Sequence, residues 1–211
     1  MTKNTDTLES WNKVADLYNE KFTDLQLYNH TYDLFIEQLP CVDSKILDIA
    51  CGPGNISKYL LSKEPNLQIL GIDVSPNMLS LAKINNPSAQ FILMDCRDII
   101  KIDSTKFDGI ICGFGIPYLS SNETEKLIND CLNLLTKDGV VYISFVEGNS
   151  LDSNYVIGSS GQRMFFNYHQ LDDLRKYFDS ANCAIIDITK LEYKNASNQT
   201  EIHTIIIAKK L

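Results

Sequence analysis

The sequence predicts an α/β fold: a mostly parallel sheet, doubly wound with helices, that carries one antiparallel strand near its end. Three observations carry this. Helical periodicity opens the chain, short apolar runs of strand length then alternate with helix-like segments, and two β-rich runs joined by a short polar stretch close it.

At the start, Leu8, Trp11, Ala15, Tyr18 and Phe22 recur at spacings of three and four, and Tyr28, Tyr32, Phe35 and Leu39 repeat the pattern before Pro40. Two amphipathic helices are expected there. The strand-like runs are Ile46 to Ala50, Leu67 to Ile72, Phe91 to Met94, Ile110 to Cys112 and Val140 to Val146. Between them lie helical segments at Ile56 to Lys63, Pro76 to Ile84 and Glu123 to Leu135, with Ser75 as N-cap, Pro76 at the first helical position and Gly139 as a terminator. Strands that alternate with helices are joined by right-handed crossovers and pair in parallel. After a helix near Gln170 to Phe178, the runs Ala184 to Leu191 and Ile202 to Ala208 are too close for a helical crossover and predict an antiparallel pair. The segment Gly148 to Arg163, rich in Gly, Ser and Asn, reads as a mobile loop.

Length and composition bound the function. With 211 residues, 44 % apolar and 22 % charged, one domain spanning 1–211 is expected: opening helices at 1–40, a core at 45–148, and a substrate loop with a terminal hairpin at 149–211. A net charge of −8, with no Lys/Arg cluster beyond Lys209-Lys210, disfavours a nucleic-acid partner and favours a small molecule. No apolar run approaches the roughly 18 residues of a membrane helix and no signal peptide is legible, so a cytoplasmic location is expected. The six cysteines form no CxxC pair, which predicts free thiols and no bound metal. Asn195-Ala196-Ser197 and Asn198-Gln199-Thr200 match glycosylation acceptors but read as a polar turn in a chain without a secretory route.

The chemistry concentrates where strands end. Ile46 to Ala50 runs into Cys51-Gly52-Pro53-Gly54-Asn55, a Gly-x-Gly turn that leads into a helix. Glycines allow a tight turn and close ligand approach, and the helix N-terminus offers unpaired N–H groups. Asp73 ends the second strand about twenty residues later, where a carboxylate can accept both hydroxyls of a ribose, and Asp95 ends the third. With Asp48, three carboxylates stand at three successive strand ends that open on one crevice.

On these residues the chain resembles the class I S-adenosylmethionine-dependent methyltransferases, in particular their small-molecule-type domain. The likeness runs from Leu8 to Leu211 and is tightest between Ile46 and Gly148. Asp48-x-x-Cys51-Gly52-x-Gly54 is similar to the family's glycine motif, Gly71-Ile72-Asp73-Val74-Ser75-x-x-Met78 to its ribose strand, Asp95-Cys96 to its adenine strand, and Phe107-Asp108-Gly109-Ile110-Ile111 to the strand that leads into its catalytic crevice. The resemblance implies a Rossmann-like seven-stranded sheet of order 3-2-1-4-5-7-6 with strand 7 antiparallel, an N-terminal helical lid, and S-adenosyl-L-methionine as cofactor. It places the methionine part near Asp48, Ala50 and Gly52, the ribose on Asp73, the adenine between Val74, Met78 and Cys96 with Asp95 receiving its amino group, and Tyr18 as a cap. Gly54 and Cys112 complete the implied cofactor set.

The acceptor is expected after the fourth strand, against Phe114 and Tyr118, with Trp11 and His169 as further pocket candidates. Gly115-Ile116-Pro117-Tyr118 half resembles an amine-methylating signature, but Gly115 stands where that signature carries a side-chain acceptor. Among the three histidines, His30 and His203 read as structural or solvated and His169 as the one candidate base. Two rivals remain open. A dinucleotide-dependent dehydrogenase fits the spacing from Gly52 to Asp73 but finds Ser57 at its third glycine position and leaves Asp48 and Asp95 idle. A sensor that binds the same cofactor without catalysis would carry the same motifs.

Overall fold

The computed structural model describes residues 3–22, 25–102, 106–157, 162–179, 183–195 and 198–211. Helix α1 (Lys3–Phe22), a single 3₁₀ turn and helix α2 (Asn29–Glu37) come first. Then β1 (Lys45–Ile49), α3 (Asn55–Lys63), β2 (Gln68–Asp73), α4 (Pro76–Asn85) and β3 (Gln90–Leu93) alternate. They are followed by β4 (Phe107–Gly113), α5 (Ser121–Leu134) and β5 (Leu135–Val146).

The main sheet has seven strands. Two of them, β8 (Cys183–Lys194) and β9 (Thr200–Lys210), follow helix α6 (Leu171–Asp179). The spatial order is β3-β2-β1-β4-β5-β9-β8, which is 3-2-1-4-5-7-6 when only the strands of this sheet are counted. Strand β9 runs antiparallel to both β5 and β8, and all other pairs are parallel. The alternation of strands and helices predicted the mostly parallel sheet with its antiparallel strand, and the order is the one that the resemblance implies.

Side-chain alternation along buried strands fills two cores. Leu47, Ile49, Ile110, Val141 and Ile143 face α5 and α6, while Ile46, Ile111, Tyr142, Ile205 and Ile207 face Tyr28, Tyr32, Phe35 and Leu60 on the other side. Helices thus cover both faces of the sheet. The order reverses between β1 and β4, which leaves a crevice outside their C-terminal ends.

Two details differ from expectation. Strand β5 begins at Leu135 because that residue already pairs with Phe107, before the ladder shifts register to Gly109 and Val140; the left-handed Asp138 (φ 61°) and Gly139 lie inside it. Within the expected loop Gly148 to Arg163, a 3₁₀ turn at Ser150–Asp152 leads to β6 (Asn154–Ile157), which pairs antiparallel with β7 (Arg163–Phe166); residues 158–161 lie outside the described ones. The Gly, Ser and Asn content hid two strands of only four residues. No helix among the described residues is long and apolar enough to cross a membrane.

Candidate active site

The glycine turn is built by backbone conformation. Ala50 (φ 53°), Gly52 (φ 54°) and Gly54 (φ 81°) are all left-handed, so the chain reverses between β1 and α3 within a few residues. A non-glycine residue held there costs roughly 1 to 3 kcal/mol, and such strain gathers at ligand sites. Above Gly52 the space is open, since an added Cβ would meet only Tyr18 Cε1 at 3.9 Å. Gly54 serves packing instead, because a Cβ there would run into Asn86 and the backbone of Ala82.

Asp73 ties this turn to the next helix. Gly52 N–H donates to its Oδ2 at 2.9 Å, and Ser75 N–H donates to its Oδ1 at 2.8 Å. Burial raises the Asp73 pKa, and the backbone donors Ser75, Gly52 and Val74 oppose the rise. Ser75 caps α4 by accepting from Met78 N–H at 3.2 Å, with Pro76 in the first turn, as the sequence predicts.

At the next strand end, Asp95 holds Arg97. Its Oδ1 accepts from Arg97 N–H at 2.9 Å and from Nη1 at 3.1 Å, while Arg97 Nε donates to Glu123 at 2.6 Å. Glu123 also closes a capping box with Ser120 at the start of α5.

These strand ends open on a cavity of about 1090 Å³. That lies just above the roughly 300 to 1,000 Å³ typical of ligand pockets and leaves room for two small molecules. The sequence-predicted residues Tyr18, Ala50, Gly52, Asp73, Val74, Met78, Asp95 and Cys96 line it, as do Trp11, Phe114 and Tyr118. Helix α1 roofs it: Trp11 meets Tyr18 and Tyr118 edge-on, each at 5.4 Å between centroids. Asn12 holds that roof on α4, its Oδ1 accepting from Ser75 Oγ at 3.0 Å and from Asn77 N–H at 3.2 Å.

Four expected residues do not line the cavity: Asp48, Gly54, Cys112 and His169. Asp48 is fully buried under the turn, where Ser57 Oγ donates to Oδ2 at 2.6 Å and Oδ1 has no partner among the described residues. Burial, opposed by the Ser57 bond, lifts its carboxyl to about 7. Cys112 is packed in the core, where burial pushes its thiol up to about 12. His169 is committed elsewhere, with Nε2 at 3.0 Å from the Ile116 carbonyl, and burial holds its imidazole below the ordinary value. Its place just after a predicted loop suggested accessibility that the buried ring does not have.

Sequence reasoning missed the wall opposite the cofactor-like end. Tyr28, Tyr193, Glu201 and His203 line it, together with Val156, Met164 and Phe166 of the unexpected hairpin. One signal was available: Glu201 and His203 share the phase of Ile205 and Ile207 along β9, so they lie on a face that packs against helices. The Gly115 position also proves restrictive, since a Cβ would meet Cys112 Sγ at 2.7 Å and Ala50 Cβ at 3.1 Å. The missing side-chain acceptor there is thus a matter of space.

A family model described as a methyltransferase domain matches residues 46–139, the span that carries the turn and the three strand-end acids. Within that span, less than half of the chain, the sequence is similar to methyltransferase domains. The chain is 30 % identical over 111 residues to the demethylmenaquinone methyltransferase of Thermotoga maritima, covering 53 % of this chain and 46 % of that protein. The chain spans about half the length of the curated relatives it matches. Among solved structures, the chain is similar to a Clostridium acetobutylicum S-adenosylmethionine-dependent methyltransferase (TM-score 0.71, 20 % identity, covering 95 % of this chain and 98 % of that one). It is also similar to the magnesium protoporphyrin IX methyltransferase of Synechocystis PCC 6803, crystallised with bound SAM (TM-score 0.74, 16 % identity, 100 % and 98 % covered). At those identities the likeness speaks for the fold.

Proposed function

We propose that the chain binds S-adenosylmethionine in the cavity at the ends of β1 to β4 and transfers its methyl group to a small-molecule acceptor. One observation carries the reading: the Asp73 carboxylate, the open backbone at Gly52 and the Val74, Met78, Cys96 wall lie side by side in one cavity. A carboxylate flanked by an open glycine turn and an apolar slot suits a ribose between a charged tail and an aromatic base. Asp73 would hold the ribose, Val74, Met78 and Cys96 would flank the adenine, and Gly52 would leave room for the methionine part. Asp48 would act from beneath, by shaping the turn through Ser57.

When bound, the cofactor supplies a methyl group already activated on a sulfonium. The chain's part is then to orient the acceptor and exclude water, and alignment alone can contribute roughly 7 to 11 kcal/mol. Trp11 and Tyr18 on α1, with the β6–β7 hairpin, would close the crevice over both molecules. The acidic net charge of −8 supports a small acceptor over a nucleic acid.

Thermal-shift titration with S-adenosylmethionine, its demethylated product and NAD tests the reading. A ligand at a hundredfold excess over its Kd adds about 2.7 kcal/mol of stability. Protection by the first two and none by NAD is expected; equal protection by NAD would overturn it.

A further inference from the structure

The far end of the cavity holds a histidine whose environment calls for a partner. His203 is 5 % exposed and lines the cavity on β9. Its Nδ1 lies 2.6 Å from Tyr28 Oη. The Phe114 ring stands 4.8 Å from it and the Tyr193 ring stacks on it at 4.7 Å, so the imidazole is held in one orientation. Nε2 is buried and has no hydrogen-bond partner among the described residues. The Glu201 carboxylate faces that nitrogen, with Oε2 at 3.5 Å and Oε1 occupied by Asn195 Nδ2 at 2.7 Å. Buried polar atoms are nearly always bonded, and an orphan at a cavity wall is explained by a ligand that completes it.

We propose that His203 is the general base of this site, taking the proton from the hydroxyl of a planar, conjugated acceptor, a phenol or an enol. The proposal rests on the methyl-transfer reading above. With Nδ1–H donating to Tyr28 Oη, Nε2 presents a lone pair. The acceptor oxygen forms its bond to the methyl carbon while the carbon–sulfur bond of the sulfonium breaks with its electron pair staying on sulfur. The hydroxyl proton passes to Nε2, and the resulting imidazolium faces the Glu201 carboxylate until it releases the proton to water. Burial raises the Tyr28 pKa, which keeps that phenol protonated; its oxygen can still accept the Nδ1–H at 2.6 Å, the tautomer that the proposal requires. The acceptor is planar because the rings packed on His203, those of Tyr28, Phe114 and Tyr193, are aromatic, and Tyr118 and Phe166 line the same cavity. An aliphatic amine would arrive protonated, with no lone pair to attack.

Two measurements test this. The first is nitrogen NMR of a sample labelled in its three histidine rings, titrated with naphthol in the presence of S-adenosylhomocysteine. The His203 Nε2 resonance should move while that of His169 stays; an unmoved His203 overturns the proposal. The second follows labelled methyl from S-adenosylmethionine to naphthol, naphthylmethylamine or naphthalenethiol. Naphthol should be the methylated compound, and His203→Asn, which keeps a partner for Tyr28 but no base, should lower turnover about a hundredfold or more. Transfer only to the amine or thiol, transfer to none, or a variant within threefold of the parent overturns it. Stabilisation of both proteins by S-adenosylhomocysteine shows that fold and cofactor site are intact. Loss of that stabilisation in the parent sinks the methyl-transfer reading itself, and if only the variant fails to fold, the NMR titration decides.

Discussion

Replacing Asp73 by Asn separates its two duties. The carboxylate accepts from Gly52 N–H at 2.9 Å and from Ser75 N–H at 2.8 Å, and hydrogen bonds to a charged group contribute about 1.5 to 3 kcal/mol each. Asn keeps one acceptor oxygen and turns an NH₂ toward the other amide, so one bond is lost. Against this, the neutral side chain escapes the burial cost that raises the Asp73 pKa. The net loss of stability should be about 1 to 2 kcal/mol, which for a chain of this length lowers Tm by roughly 2 to 8 °C. Cofactor affinity should fall further, because a charged acceptor for the ribose hydroxyls is lost: about tenfold or more in Kd. Differential scanning fluorimetry gives the first number and titration calorimetry with S-adenosylmethionine the second. An unchanged Kd beside a lowered Tm would make Asp73 a clamp of the turn alone and move the ribose elsewhere. An unchanged Tm would deny the clamp.

Two further perturbations follow. Asp48 has its carboxyl lifted by burial from 3.8 to about 7, so the folded chain keeps a proton that the unfolded chain releases; the stability this confers is complete below pH 3.8 and is lost as pH rises to about 7. The gap between Asp48→Asn and the parent should therefore change in the variant's favour across that window, by up to a few kcal/mol; melting curves at stepped pH check this, and a constant gap would refute it. Asn12→Ala removes the acceptor that Ser75 and Asn77 use to hold α1, so hydrogen exchange in α1 should quicken while that of β1 stays slow. Equal protection in variant and parent would show that the Asn12 side chain does not hold α1, which the Asn77 Nδ2 bond to the Asn12 carbonyl (2.8 Å) and the Asn85 Nδ2 bond to Asn19 Oδ1 (3.0 Å) also tie down.

The sheet was legible because its signals are local. Apolar runs such as Ile46 to Ala50 and Val140 to Val146 have strand length, Ser75-Pro76 marks a helix start, and the short link before Ile202 permits only an antiparallel return. The cofactor-like wall was legible for the same reason, since Gly52, Asp73 and Asp95 sit at strand ends and parallel strands bring those ends to one edge. What only the tertiary structure decided concerns direction and access. Asp48 belongs to the glycine motif, yet β1 turns it beneath the loop onto Ser57. His169 borders a polar segment, yet its ring is spent on the Ile116 carbonyl. His203 looked like one more strand residue; the pairing of β9 with β5 and β8 and the approach of Tyr28 from the opening segment are what set it in the cavity wall, its Nε2 without a hydrogen-bond partner among the described residues. Tyr28 and His203 are 175 residues apart in the chain, and contacts at such separation depend on how the elements pack, a property that no local spacing encodes.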